Sequence, residues 1–265
     1  MVSTIYQKDS YINKEIDFLL SHFIREYDIR KANISILLSK GLITQQEFDY
    51  YASLGDMRSI VIGKLQKKNE KIKEALTNGF YEYRQMFFEA NNIQDNDVLA
   101  VKKDAIYLID KEATYQTFDY VNFINKNTYT SYYSYGRYEM YYGINRITGD
   151  EKLDVKGMKS SYPLHNGYMN DLLMCIFECA EVDILEAINI LTTFLNNYMK
   201  REVEIQYYRE YNDYSMYRLF YNGCMSYTLD NVSERDKFML DISYNRKLIE
   251  NILSYFYRII KSRVT

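Results

Sequence analysis

The chain has 265 residues, 47% apolar and 26% charged, with 30 tyrosines, 13 phenylalanines, no tryptophan and one proline, Pro163. That is enough for one large or two small domains with real cores, and the composition excludes a disordered chain. A formal net charge of −3 excludes a protein basic all over, so any nucleic-acid site must be a local basic groove.

The tyrosine excess accompanies abundant Asn, Ile and Lys, as an AT-rich coding sequence would give, and carries little functional weight. Cys175, Cys179 and Cys224, with the isolated His22 and His165, offer no zinc-ligand spacing. Cys175 and Cys179, four apart in an apolar helical stretch, read as small buried thiols. No run reaches transmembrane length and Met1 to Ser10 lack a signal-peptide pattern, so the expected place is the cytoplasm, with no membrane partner.

In chain order, Ile16, Phe18, Leu19, Leu20, Phe23 and Ile24 are dense enough for a buried strand or helix, and the piece from Tyr27 to Leu38 ends at Gly41. Thr44-Gln45-Gln46-Glu47 is a capping box that opens a short helix. From Ile72 to Glu89 the apolar residues Ile72, Leu76, Phe80, Tyr83 and Phe87 predict one strongly amphipathic helix. Asn91 to Asp97 is a turn cluster, and Val98 to Ile109 then reads as a hairpin. Tyr120–Ile124, Tyr129–Tyr133 and Tyr138–Tyr142 read as three strands, with turns at Gly136 and Thr148-Gly149-Asp150. Beyond Pro163 the spacing becomes helical over Leu172–Cys179, Asp183–Lys200, Tyr207–Phe220 and Asp236–Lys261. The class is therefore α+β, an antiparallel sheet backed by helices and followed by a mainly helical region. The expected division is an α+β domain over 1–162 and a helical region over 163–265.

Two acids stand in matching strand contexts. Asp28 closes Glu26-Tyr27-Asp28-Ile29, and Asp104 interrupts two apolar runs in Val98-Leu99-Ala100-Val101-Lys102-Lys103-Asp104-Ala105-Ile106-Tyr107. If the strands neighbour one another the carboxylates approach, and such a pair repels itself unless a cation lies between. Mg²⁺, with its preference for carboxylate and phosphate oxygen, suits that place, which is the arrangement of metal-assisted phosphoryl transfer.

These residues resemble the motifs of family B DNA polymerases. Asp28, Ser35 and Ile36 follow the family's first motif, and Asp104 with Ala105-Ile106-Tyr107 is similar to the strand that carries its second metal-binding aspartate. Lys126-Asn127-Thr128-Tyr129 and Lys156-Gly157 follow in the family's order, as elements that face the primer strand. The resemblance implies a palm-like sheet with a thumb-like helical region. It makes Asp28 and Asp104 catalytic and metal-binding, through Mg²⁺ or Mn²⁺. Arg58 and Lys64 become phosphate-binding, and Lys126, Tyr129 and Lys156 nucleic-acid-binding. Nucleic acid and a nucleoside triphosphate become the partners. The pattern also departs from the family: Lys102 stands where its motif has another aspartate, no exonuclease domain precedes, and Asp28 to Arg58 is too short for paired fingers helices. The expected function is a minimal, phage-like nucleotidyltransferase, with a protein partner able to supply the missing fingers. The alternative is a catalytically inactive, palm-derived module that binds nucleic acid or protein.

Overall fold

The structure is a computed structural model that describes residues 2–157, 167–204 and 253–264. The fold is α+β. The strands are β1 (Ser10–Ile12), β2 (Phe18–Leu19), β3 (Ile24–Ile29), β4 (Val98–Lys102), β5 (Ala105–Ile109), β6 (Thr117–Phe118), β7 (Val121–Tyr135), β8 (Tyr138–Asn145) and β9 (Glu151–Lys156). The helices are α1 (Ala32–Ser39), α2 (Gln45–Ser53), α3 (Met57–Lys68), α4 (Glu70–Ala90), α5 (Gly167–Val182), α6 (Ile184–Lys200) and α7 (Ser254–Ser262).

The chain divides into two compact units. The first comprises Met1–Ile16, His22–Tyr129 and Ile144–Asp150. Its strands lie antiparallel in the order β1-β4-β5-β3-β7, with β6 hairpinned onto the start of β7. Strand alternation sends Tyr27, Ile29, Ile106, Leu108 and Phe123 to one face, where they share a core with Ile36 of α1 and with α4. The predicted stripe of α4, Ile72, Leu76, Phe80, Tyr83 and Phe87, is buried throughout. Each such side chain contributes roughly 1.5–3 kcal/mol of hydrophobic stabilisation. Phe87 stacks on Phe123 with ring centroids 4.3 Å apart. Gly79 is required where α1 meets α4, because a Cβ there would collide with Ile36 Cγ2. The capping box forms as read, with Glu47 N donating to Thr44 Oγ1 at 3.2 Å and Thr44 N to Glu47 Oε2 at 2.7 Å.

The second unit comprises Asp17–Ser21, Thr130–Gly143 and Glu151–Thr265. Phe18 and Leu19 of β2 pair with Tyr133 and Tyr132 of β7, and β8 and β9 continue the order. Tyr133, Met140 and Tyr142 share a core with Leu173, Phe177, Leu191, Phe194 and Phe256 of α5, α6 and α7. Asp183 caps α6 by accepting from Leu185 N at 2.9 Å and Glu186 N at 3.2 Å. Gly157 has φ +86°, and a Cβ there would collide with the Arg137 carbonyl, so the Lys-Gly pair meets a backbone demand of its own.

The strands expected at Tyr120–Ile124 and Tyr129–Tyr133 are one strand, β7, because the polar residues between them form a bulge instead of a turn. Cys175 is exposed and Cys179 half-buried, contrary to expectation, since the inward stripe of α5 is Leu173, Ile176, Phe177 and Ala180. The described residues beyond Pro163 are mainly helical, as their spacing predicts, whereas Pro163 itself, Tyr207–Phe220 and most of Asp236–Lys261 lie outside the described residues. Among the described residues no helix is long and apolar enough to cross a membrane.

Candidate functional site

Strand β3 lies between β5 and β7, and Asp28 near its end faces Ala105 on one side and Ile124 on the other. The two-residue connection Lys103-Asp104 joins β4 to β5, with Lys103 in the left-handed region at φ +53°. The turn folds over the end of β3, where Ile29 N donates to the Asp104 carbonyl at 3.3 Å. Asp28 and Asp104 are thus brought within electrostatic reach of each other.

The third member comes from a β-bulge. Glu26 pairs with Asn127, but Tyr27 pairs with Asn125, so Lys126 is the extra residue of β7. Bulges re-aim side chains and recur beside functional sites. Here the Lys126 ammonium donates to Asp28 Oδ2 at 3.1 Å. The other carboxylate oxygen, Asp28 Oδ1, is buried and has no hydrogen-bond partner among the described residues.

Burial and the like charge of Asp104 raise Asp28 above the ordinary carboxylate range, with a smaller push from Glu26, against the pull of Lys126. Burial draws Lys126 down, but Asp28, then Glu26 and Asp104, outweigh it and raise the ammonium above its usual value. Two residues before Asp28, on the same face of β3, Glu26 is buried and well satisfied. Its Oε1 accepts from Tyr107 Oη at 2.9 Å, and its Oε2 from Tyr129 Oη at 2.9 Å and from Asn127 Nδ2. One carboxylate is therefore fully engaged while its neighbour keeps an orphan oxygen.

The structure brings together Asp28, Asp104 and Lys126 from the residues expected to act. Arg58 and Lys64 sit on α3, the first half-buried and the second exposed. Tyr129 is fully buried, with its hydroxyl committed to Glu26. Lys156 belongs to the second unit, where its ammonium pairs with Asp154 at 3.2 Å. The Lys102 ammonium lies 5.7 Å from the Tyr107 ring centroid.

Two participants escaped the sequence reading. Glu26 was signalled by its two-residue offset from Asp28, which puts both acids on one strand face. Arg84 is wholly buried four residues after Phe80, on the apolar stripe of α4. Its Nη1 donates to the Lys8 carbonyl at 2.7 Å and its Nε to the Phe80 carbonyl at 3.2 Å, while Nη2 has no partner among the described residues. Burial lowers its pKa, opposed first by Asp9 and also by Asp104.

The donor set suits a hard cation in one respect. Asp28 Oδ1 is an anionic oxygen with a second carboxylate nearby. Among the described residues no three His, Cys, Asp or Glu side chains converge as a metal cage. The described residues thus offer two carboxylates here, a number that Mg²⁺ uses when water and substrate phosphate complete its shell.

A family model described as "Bacteriophage PBS1 gene 130 protein" matches residues 1–265. The chain belongs to that family. A comparison with curated proteins finds no match. In this gene 130 family member, then, the phage connection expected from the sequence stands.

Proposed function

We propose that this phage protein is a palm-like nucleotidyltransferase acting on nucleic acid, in which Asp28 and Asp104 share a divalent cation completed by nucleotide phosphate oxygens. The observation that carries the reading is the buried Oδ1 of Asp28, without a partner among the described residues and within electrostatic reach of the second carboxylate. When bound, Mg²⁺ or Mn²⁺ would activate a 3′-hydroxyl and neutralise charge on the transferring phosphate. Lys126 donates to Asp28 Oδ2 and opposes the upward push that burial and Asp104 exert on its carboxyl, which favours the anionic, metal-binding form. Glu26, engaged by two tyrosines and an asparagine, holds its end of β3 in register. Arg58 and Lys64 on α3 supply positive charge for phosphates in this reading, and a protein partner supplies the fingers.

Calorimetric titration of Mn²⁺ into the full chain tests it, alongside extension of a primed DNA template with deoxynucleoside triphosphates. Wild type and the exposed control Asp49→Asn should bind alike, and Asp28→Asn and Asp104→Asn should lose at least tenfold in affinity. Equal binding by all four proteins, or none by any, removes the metal site. One observation favours a second reading, a nucleic-acid- or protein-binding module without chemistry: the Lys126 ammonium already supplies a cation at Asp28. DNA retention in EDTA, unchanged by Asp104→Asn and without extension, would decide for it.

A further inference from the structure

A cavity of about 350 Å³ opens in the first unit, on the α3 and α4 side of the β4–β5 turn. Its volume lies in the range of small-molecule sites. Leu76 and Phe80 of α4 form an apolar floor, each almost fully buried. Lys73 from α4 and Lys103 from the turn also line it, as does Gln66 of α3. Asp9, just before β1, is the acid among the lining residues.

The position of Lys103 is constrained from several sides. Its backbone takes the left-handed conformation that side chains other than glycine adopt only at a cost, φ +53°. Its N–H donates to the Asp9 carbonyl at 2.9 Å, and its ammonium lies 5.5 Å from the Phe80 ring centroid. A lysine stands in a two-residue turn where glycine or asparagine would fit with less strain. Lys73 is salt-bridged to Glu70 at 2.8 Å, an exposed pair that an arriving anion can compete with at small cost.

We propose that this cavity is a binding site for a small phosphate monoester with a hydroxyl-bearing organic body, such as a nucleoside monophosphate. The phosphate sits between Lys73 and Lys103, the amide of Gln66 donates to it, the body rests on Leu76 and Phe80, and the Asp9 carboxylate accepts from a ligand hydroxyl. Two point charges and one amide suit a tetrahedral anion. An apolar floor with one acid selects against bare inorganic phosphate. The site stands apart from the Asp28–Asp104 reading, since neither acid lines it.

The test is titration calorimetry on the full chain in metal-free buffer, so that it reports on this cavity and not on a cation at Asp28. Adenosine monophosphate is the probe, with adenosine, inorganic phosphate and a 5′-phosphorylated oligonucleotide as comparisons. Adenosine monophosphate should bind saturably and at least tenfold more tightly than adenosine or phosphate alone. Lys103→Gly, which suits the left-handed backbone and keeps the turn, should weaken it at least tenfold. Lys73→Gln, at an exposed helical position, should weaken it severalfold, and the exposed neighbour Lys71→Gln should leave it unchanged. A free nucleotide is the ligand if adenosine monophosphate binds more tightly than the oligonucleotide; the reverse assigns the phosphate to a strand terminus. No saturable binding by either, equal binding of adenosine, or affinity unchanged in both Lys103→Gly and Lys73→Gln overturns the proposal.

Discussion

The two units use tyrosine with different emphasis. In the first unit Tyr107 and Tyr129 are buried for their hydroxyls, which both donate to Glu26, and the Tyr27 hydroxyl accepts from Ala113 N at 2.9 Å. In the second unit Tyr141 Oη likewise donates to Glu139 Oε2 at 2.5 Å and the Tyr142 hydroxyl to Glu178, but stacked rings are more prominent. Tyr142 stacks on Phe177 at 5.7 Å between centroids, Tyr135 on Tyr255 at 3.7 Å, and Tyr133 packs against Phe256 at 4.9 Å. Burial accordingly raises Tyr133 and Tyr142 far above the ordinary phenol range, so both stay neutral near physiological pH. One abundant residue type donates to buried charge in both units, and in the second its rings also stack across the core. What sets the first unit apart is convergence, two tyrosine hydroxyls on the single carboxylate of Glu26.

The largest expected effects come from the cores themselves. Phe87→Ala in the first unit and Phe256→Ala in the second should each cost about 3–5 kcal/mol, measured by urea unfolding. If the comparison is sound, hydrogen exchange will show each loss concentrated in the unit that carries the change. Spread evenly over both, the losses would break it. Gly79→Ala should cost about 1–3 kcal/mol, because the new methyl must push Ile36 aside in a packed helix crossing.

A similar loss, about 1–3 kcal/mol, is expected from Tyr129→Phe, which strips a donor from buried Glu26. Tyr142→Phe removes a hydroxyl bonded to Glu178, an exposed acid that water can satisfy, and should cost less than Tyr129→Phe under the same conditions. Equal costs would mean that the hydroxyls matter alike in both units.

The subtlest prediction concerns pH. Asp28 holds its proton more tightly folded than unfolded, so its contribution favours the folded state at low pH. That contribution declines as pH rises from about 4, the ordinary carboxylate value, through the higher folded pKa. Asp28→Asn should remove this decline from a plot of urea midpoint against pH. Lys126→Met should move it to higher pH by deleting the counter-ion. The raised lysine acts in the opposite window: its stabilisation is complete below about pH 10.4 and is lost only above that. A midpoint that is flat in wild type, or unaltered by both substitutions, would count against the electrostatic account.

Much of the first unit was legible because its signals are local. The Thr44–Glu47 box, the stripe of α4 and the two apolar runs around Lys103-Asp104 each specify an element from adjacent residues. The nearness of Asp28 and Asp104 followed from treating β3 and β5 as neighbours, which they are. The bulge was not legible, because Asn125-Lys126-Asn127 has the composition of a turn and only the pairing of β3 across it reveals the extra residue. The burial of Tyr129 was not legible either, because it depends on Glu26, distant in sequence, needing a donor.

The bulge also bears on how the chain tolerates changes of length. Pairing runs Glu26 with Asn127 and Tyr27 with Asn125, so deleting Lys126 would leave both partnerships, and every later pairing of β3 with β7, intact. Losing a neighbour such as Thr128 would instead shift the following residues by one and turn Tyr129 to the wrong face. Lys126 is thus a supernumerary position, one that insertion or deletion can fill or vacate without re-threading the sheet. A phage lineage could gain or discard the counter-ion of Asp28 in a single three-nucleotide step.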